Sequence, residues 1–426
     1  MKNKLISRRK FMRTTALVAG TVMVKPYIVK AAAVRGSQAN SAIRIGFLGC
    51  GGRGTADANA FVNSKKNNCR IVALADLFDD QLQKAKSKWD EVATKKGYSK
   101  IDSRLIFKGP DAFEKIAFNS QCDMIILSTP DYFHPQHLDA VVSAGKHCYC
   151  EKPAGVDVAG CRKVIEIGKR AEGKLSLEVG FQVRNAPAFS EVVNRIHNGD
   201  IGKVSYGMLH YHASAINYPE WPNASPLERR IRQFYWDNVI SGDTIVDQFI
   251  HTIDIANWVM GTHPVSAIAY GGRKVRTDPG NIWDNWSVCF KYPGDVNMVL
   301  SGVQFGNYWD VATRFIGTEG VGEANYSGLA NITGKKPWSS AEAAKQSEFS
   351  TAGSFNGLGP ASEIKADLFI DSIISGKYHN QARQGAESAL SAILGRTAGY
   401  TGEEVTWSGL LASNQSYQGE IDLSKL

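Results

Sequence analysis

The sequence predicts an α/β chain: a doubly wound parallel sheet in the N-terminal part, then a second, C-terminal α/β domain. Three observations predict it. An apolar strand runs straight into a glycine-rich turn and a helix, short apolar strands then alternate with helical stretches, and the character changes near residue 179. At 426 residues the chain is longer than one ordinary domain. With 43% hydrophobic and 21% charged residues it has a soluble globular composition, which excludes disorder, collagen and a disulfide scaffold. Glycine is in excess at 41 residues, pointing to many close backbone approaches.

The first 33 residues read as a leader. Ser7-Arg8-Arg9-Lys10-Phe11-Met12-Arg13 is followed by an apolar run from Thr14 to Val24 and then by Ala31-Ala32-Ala33. A charged start, a short apolar stretch and small residues make a secretory signal. The paired arginines followed by Phe11 resemble a twin-arginine signal, with cleavage expected near Ala33. The apolar run is too short to span a bilayer, which needs about 20 residues, so no membrane span is expected in the mature chain. The leader also explains the net charge of +8. Eight of the 49 lysines and arginines precede Ala33 and no acid does, so the remainder balances 41 against 41. No nucleic-acid partner is implied.

The dinucleotide-binding element comes next, within a predicted domain of residues 42–178. Ile43 to Leu48 is an apolar strand that enters Gly49-Cys50-Gly51-Gly52-Arg53-Gly54; a helical stretch, Thr55 to Val62, follows. A second strand, Ile71 to Ala75, ends in Asp76, 27 residues after Gly49. This strand–turn–helix–strand–acid order is the Rossmann fingerprint. Gly49 permits the turn, Gly51 lets the backbone approach a pyrophosphate, and Gly54 lets helix and strand pack closely. The helix N-terminus offers free N–H groups to the phosphates. Asp76 is placed to accept from the adenosine ribose hydroxyls. Its carboxylate repels a 2′-phosphate, so NAD is expected in preference to NADP.

The alternation continues with Met124 to Leu127, ending in Ser128-Thr129-Pro130-Asp131, and His147 to Cys150, ending in Glu151-Lys152-Pro153. Helical stretches, Phe133 to Ala144 and Asp157 to Ala171, separate the strands. Ligands in such sheets sit beyond the C-terminal strand ends, where both polar clusters lie. The seven cysteines (50, 69, 122, 148, 150, 161 and 289) are odd in number and lack metal-ligand spacing, so they are expected to be small buried hydrophobes.

From residue 179 to 426 the second domain follows, holding eight of the nine tryptophans. Val204 to Tyr211 and Trp286 to Lys291 alternate as strands do. Residues 244–258 read as one helix with two stripes. Val246, Phe249, Ile250 and Ile253 face the core, while Asp247, His251, Asp254 and Trp258 form a polar line. A histidine one turn from an aspartate can be held by it in a fixed tautomer. His210 and His212 share one face of a strand and are placed to approach His251. A three-histidine metal site would need a second ligand motif that the sequence lacks, so no metal is expected. A Ser/Ala/Lys-rich stretch to about Gly359 reads as a loop. Ile364 to Ser375 and Glu387 to Thr401 read as helices returning to the first domain.

These motifs together resemble the Gfo/Idh/MocA family, which includes glucose–fructose oxidoreductase and inositol dehydrogenase. The carrying residues are the glycine turn, Asp76, Ser128-Thr129-Pro130-Asp131-Tyr132-Phe133-His134, Glu151-Lys152-Pro153 and Gly180-Phe181-Gln182-Val183-Arg184. Asp247-Gln248-Phe249-Ile250-His251-Thr252-Ile253-Asp254 and Gly317-Thr318-Glu319-Gly320 complete the set. The resemblance implies an open, largely antiparallel C-terminal sheet, one face covering the nicotinamide and the other building a homo-oligomer. It implies Lys152 and His251 as proton-transfer groups, with Asp247 orienting substrate or histidine. Gly49, Gly51, Gly52, Arg53, Gly54, Asp76, Ser128, Thr129, Pro130, Asp131, His134, Glu151, Lys152 and Gln182 fall against the cofactor. Arg184, His210, His212 and Trp236 fall against a sugar or glycoside substrate, together with Asp247 and His251. A lysine beside the positive nicotinamide ring is expected to have its ammonium form disfavoured.

Export constrains the chemistry. A periplasmic enzyme cannot draw on the cytoplasmic NAD pool, so the cofactor is expected to be bound tightly before export and recycled in place. The leading expectation is an exported oxidoreductase acting on a secondary alcohol of a sugar or glycoside, C3 being the candidate carbon. Two others stand beside it. One is a redox-neutral NAD-dependent glycoside hydrolase or lyase using transient C3 oxidation; the other is a catalytically silent sugar sensor, against which the intact lysine, aspartate and histidine count.

Overall fold

The first strand, Ile43–Leu48 (β1), is apolar at every residue but Arg44 and Gly46, and it is buried almost throughout, as a central strand of a parallel sheet must be. The computed structural model describes residues 42–307, 309–340, 358 and 360–426. The leader, with its twin-arginine motif, and residues 341–357 of the expected loop lie outside the described residues.

β1 is flanked in parallel by Cys69–Asp76 (β2) on one side and Met124–Leu127 (β4) on the other. Ile106–Lys108 (β3), His147–Cys150 (β5) and Leu177–Val179 (β6) complete a six-stranded sheet in the order β3-β2-β1-β4-β5-β6. β4 and β5 are buried at every position. The strand order reverses between β1 and β4, and a crevice opens there at the C-terminal strand ends. Helices Gly52–Val62, Asp79–Lys95, His134–Ser143 and Val158–Ala171 cover the sheet.

The second sheet is also as expected: open, mixed and mostly antiparallel. Its strands are Val204–Ala213 (β7), Ser266–Gly272 (β8), Asn285–Tyr292 (β9), Val296–Gln304 (β10), Asp310–Gly317 (β11), Gly320–Asn325 (β12), Ala330–Gly334 (β13), Trp338–Ser339 (β14) and Val405–Thr406 (β15). They run in the order β14-β13-β12-β11-β7-β10-β9-β8-β15, and only β7 and β10 pair in parallel among the described residues. Period-two alternation sets its faces. Leu209, Tyr211 and Ala213 of β7 are fully buried against the helix Ile250–Met260, while His210 and His212 point the other way.

The C-terminal helices pack on the first sheet. In Ala361–Ser375, Phe369 packs edge-on against Phe61 and Tyr149, and buried Lys365 pairs with Glu178 of β6. Helix Ala382–Thr401 lies between the sheets. A side chain at Gly385 would strike Val179 of β6, and one at Gly395 would strike Phe290 of β9. Residues 42–426 accordingly form one compact unit. Six cysteines are buried, Cys289 is half-buried and all seven are free, matching the reading of small hydrophobes. No described helix is long and apolar enough to cross a membrane.

The expected single helix over 244–258 is two, Thr244–Asp247 and Ile250–Met260. The Thr244 carbonyl accepts from both Gln248 N and Phe249 N, and the next turn tightens, with His251 N on Gln248 O and Thr252 N on Phe249 O. The wide turn admits one extra residue. The tighter turn that follows takes up that extra residue. At the break the Phe249 ring packs against Gly302 of β10, where any side chain would strike it.

Candidate active site

β1 ends on Gly49, whose φ of +89° and close approach to the Ser128 carbonyl exclude a side chain. Gly54 is equally constrained: a Cβ there would lie 2.6 Å from both the Phe47 ring and the Gly49 carbonyl. Gly51 and Gly52 differ, since a Cβ on either would meet nothing within 4 Å. They face a cavity of about 410 Å³, whose walls include Asp76, Ser128, Thr129, Pro130, Tyr218 and Trp221. The helix that starts at Gly52 has no side-chain cap, so its first N–H groups remain available to an anion. Asp76 accepts from Cys50 N at 2.7 Å and Phe78 N at 2.9 Å, which fixes its carboxylate at the cavity wall. Across the cavity, His137 stacks between Phe113 and Phe133, with ring centroids 4.4 and 5.6 Å away. Burial holds the His137 imidazole neutral, its pKa lowered to about 3. A flat apolar wall, an open glycine turn and a carboxylate at the second strand end fit an adenosine diphosphate moiety.

Behind Pro130 and Tyr218 lies a buried polar cluster. Lys152, carried on the turn after β5, donates from Nζ to the Asp247 carbonyl at 2.6 Å and reaches the Asp247 carboxylate at 3.5 Å. The other carboxylate oxygen accepts from Gln248 Nε2 at 2.6 Å. His251 is 3% exposed, beside the rings of Phe181 and Tyr211. Burial, then the charges of Lys152 and Arg53, hold it neutral with a pKa well below the ordinary value. Asp131 Oδ2, Gln182 Oε1 and His251 Nδ1 are buried and have no hydrogen-bond partner. Orphaned polar atoms inside a protein are costly, so these three are polar groups that the fold alone leaves unsatisfied.

The sequence-predicted residues therefore divide. Gly49, Gly51, Gly52, Asp76, Ser128, Thr129 and Pro130 line the cavity; Lys152, Asp247, Asp131 and His251 belong to the cluster behind it, and Gln182 is buried in the turn Gln182–Asn185. The expected Asp247–His251 pair is not formed among the described residues: Asp247 is held by Lys152 and Gln248, and His251 Nδ1 has no partner. Arg53 points away from the phosphate site to Asp57 and, at 3.1 Å, to Glu151. It ties the glycine turn to the Glu-Lys-Pro turn. Burial and the Glu151 charge push the Asp57 carboxyl up. His134 is fully buried, bridging the carbonyls of Thr129 and Pro153 at 2.7 Å each. It clamps two loops together behind the cavity.

Four residues expected against the substrate are engaged elsewhere in this structure. His210 and His212 stack on each other near Asp310, on the face of β7 opposite to Tyr211 and His251. Strand alternation alone keeps them from the cluster. Arg184 is bound to Asp254 at 2.8 and 2.9 Å, with its guanidinium over Trp258. Trp236 is buried, donating to the Ile216 carbonyl and packing on Tyr218. Trp221, an equal candidate in the sequence to stack on a sugar ring, does line the cavity, together with Tyr218. Sequence reasoning missed Tyr218, Gln248 and His137; their only signal was proximity to aromatic or motif residues, which is not specific.

The comparisons with known proteins agree with this geometry. Residues 43–179 match the oxidoreductase family Gfo/Idh/MocA, NAD-binding Rossmann fold, and residues 189–323 match the Gfo/Idh/MocA C-terminal domain. Inositol 2-dehydrogenase of Rhizobium meliloti is 28% identical over 66% of this chain and 74% of its own length. Myo-inositol 2-dehydrogenase of Thermotoga maritima is 27% identical over 57% and 62%. Among solved structures, scyllo-inositol dehydrogenase from Lactobacillus casei with NAD(H) and scyllo-inositol superposes with a TM-score of 0.66 at 18% identity, over 86% of this chain and 99% of its own. Aldose–aldose oxidoreductase from Caulobacter crescentus gives 0.65 at 20%, with the same coverage.

Proposed function

The chain belongs to the Gfo/Idh/MocA family of NAD-binding oxidoreductases, and from that premise we propose that it oxidises or reduces a secondary alcohol of a sugar, glycoside or cyclic polyol. The observation that carries this reading is Lys152 held against Asp247 in a buried cluster next to the glycine-turn cavity. NAD, when bound, supplies the hydride acceptor. Gly51 and Gly52 hold its phosphates and Asp76 its adenosine ribose. Lys152 takes the hydroxyl proton as the carbonyl forms. Asp247 orients Lys152, Gln182 Oε1 accepts from a neighbouring hydroxyl, and neutral His251 accepts from or donates to another. The names of the inositol dehydrogenase relatives support a ring alcohol as substrate.

The twin-arginine leader adds that the protein is exported to the periplasm already loaded and retains its cofactor. The exposed residues Ile268 and Tyr270 on the outer face of β8 support pairing with a second copy there. The test is to denature the purified mature protein, identify any released nucleotide, and follow nicotinamide absorbance with myo-inositol and a panel of glycosides. Bound NAD that becomes reduced and stays reduced is the expected result. Aglycone release without lasting reduction would replace the reading with a redox-neutral hydrolase or lyase. No turnover of any probe would sink it. Arg8→Lys with Arg9→Lys should keep the protein in the cytoplasm; unchanged periplasmic recovery would remove the export claim.

A further inference from the structure

Asp131 opens the short turn Asp131–Phe133 just beyond β4, and it is 4% exposed. Its carboxyl lies within hydrogen-bonding reach of the Asp247 carboxyl. Two ionised carboxylates cannot occupy such a position, because each would accept and neither would donate. Their hydrogen-bond partners settle which one is ionised. Asp247 has two donors on its side chain, Lys152 Nζ at 3.5 Å and Gln248 Nε2 at 2.6 Å. Asp131 Oδ2 has no donor at all. An acceptor with no donor, facing an acceptor that has its donors, is relieved by a single proton.

We propose that Asp131 is a positioning residue that acts as a neutral carboxylic acid, donating a hydrogen bond to the Asp247 carboxylate and so fixing Asp247 against Lys152. The inference rests on the reading of Lys152 and Asp247 as the proton-transfer pair. The groups that face Asp131 are Asp247 from the 244–247 helix, Glu151, Lys152 and Cys150 from the end of β5, and Tyr218 from the segment after β7. Burial and then the Asp247 charge push the Asp131 carboxyl well above the usual carboxylate range, against the opposing pull of Lys152. A carboxylic acid kept neutral as a hydrogen-bond donor is an established device in buried sites. No proton need leave Asp131 during the reaction; its task is to hold an oxygen in place.

An amide distinguishes this role from that of a charged carboxylate, since Asn is a neutral donor of the same shape. Asp131→Ala is expected to lower kcat by on the order of 10- to 100-fold, and Asp131→Asn to recover most of that loss. Because Asp131 works when protonated, its contribution disappears as pH rises through its raised pKa. The alkaline limb of the kcat profile should therefore move to higher pH in the Asn variant. A second readout needs no substrate. In the infrared difference spectrum between the NAD-loaded wild-type protein and Asp131→Asn at neutral pH, a protonated-carboxyl C=O band should be lost. Loss of an ionised-carboxylate band instead, or an Asn variant as slow as the Ala variant, would overturn the proposal. If the wild-type protein turns over none of the polyols, the functional reading fails by itself, and the infrared comparison still decides the state of Asp131.

Discussion

Lys152 and Asp247 meet across the two domains: the lysine comes from the end of β5 in the parallel sheet, the aspartate from a helical turn packed on the antiparallel sheet, and Nζ reaches the aspartate carbonyl at 2.6 Å. Their side chains are only 11% and 6% exposed, so the pair is drawn nearly out of water. Each half of the chain supplies one member, and neither half alone makes the site.

Lys152→Ala should reduce turnover by roughly 100- to 10,000-fold, the usual contribution of a positioned base, while NAD stays bound because Lys152 does not line the adenosine cavity. Steady-state kinetics beside nucleotide content after denaturation checks this. Full activity in the variant would reassign the base.

Asp76→Ala removes the carboxylate at the ribose end of the cavity. NAD affinity should fall by about tenfold, the equivalent of about 1.4 kcal/mol, and discrimination against NADP should relax. Fluorescence titration with both reduced cofactors reads the two numbers directly. Equal affinities before and after would take Asp76 out of the site.

Stability should fall on mild acidification. Burial lowers the pKa of His137 to about 3 and of His147 to about 4, and the unfolded chain binds its protons near 6.5. A base with a depressed folded pKa contributes stability above the unfolded value and loses it as pH falls below. Each of these histidines then costs about 1.4 kcal/mol per pH unit between pH 6.5 and its folded pKa. The His147 imidazole cannot accept that proton freely, because its Nδ1 already accepts from Ser176 N at 2.9 Å. Urea unfolding between pH 7.5 and 5.5 should show the loss, and His147→Asn should make it shallower. A pH-independent midpoint over that range would contradict the assignment.

The C-terminal tail helps to close the cavity. Leu423 is part of its wall, and Ile421 packs with Phe133, Ile231 and Ile240. Tyr132 Oη donates to the Tyr417 carbonyl at 3.0 Å and accepts from Gly419 N at 3.1 Å. A chain ending at Ser416 should release bound nucleotide several-fold faster while still folding, because neither of the two main hydrophobic cores includes a residue of the tail. Dissociation followed by stopped-flow fluorescence checks the rate; an unchanged rate would leave the tail without a part in retention.

Local pattern determined much of this protein. The turn from Gly49 to Gly54, the acid at Asp76 and the polar ends of β4 and β5 are consequences of short-range sterics and strand–helix order, which a single sequence displays. The helix Asp79–Lys95 was less legible: it buries only Leu82, Ala85, Trp89, Asp90 and Ala93 among its 17 residues, a thin stripe on a charged background. Side-chain partners were decided by tertiary structure alone. Arg53 follows the phosphate turn but is captured by Glu151, a residue 98 positions away. Arg184 sits in a family motif but is held by Asp254, and His210 and His212 are sent to the far face by the parity of β7. Asp247 stands one turn before His251 in the sequence but is taken by Lys152, which the parallel sheet delivers from the other domain. Sequence determines which chemistry is available and at which strand end it stands; the direction a side chain finally takes depends on neighbours distant in sequence, whose charges and volumes no local pattern contains.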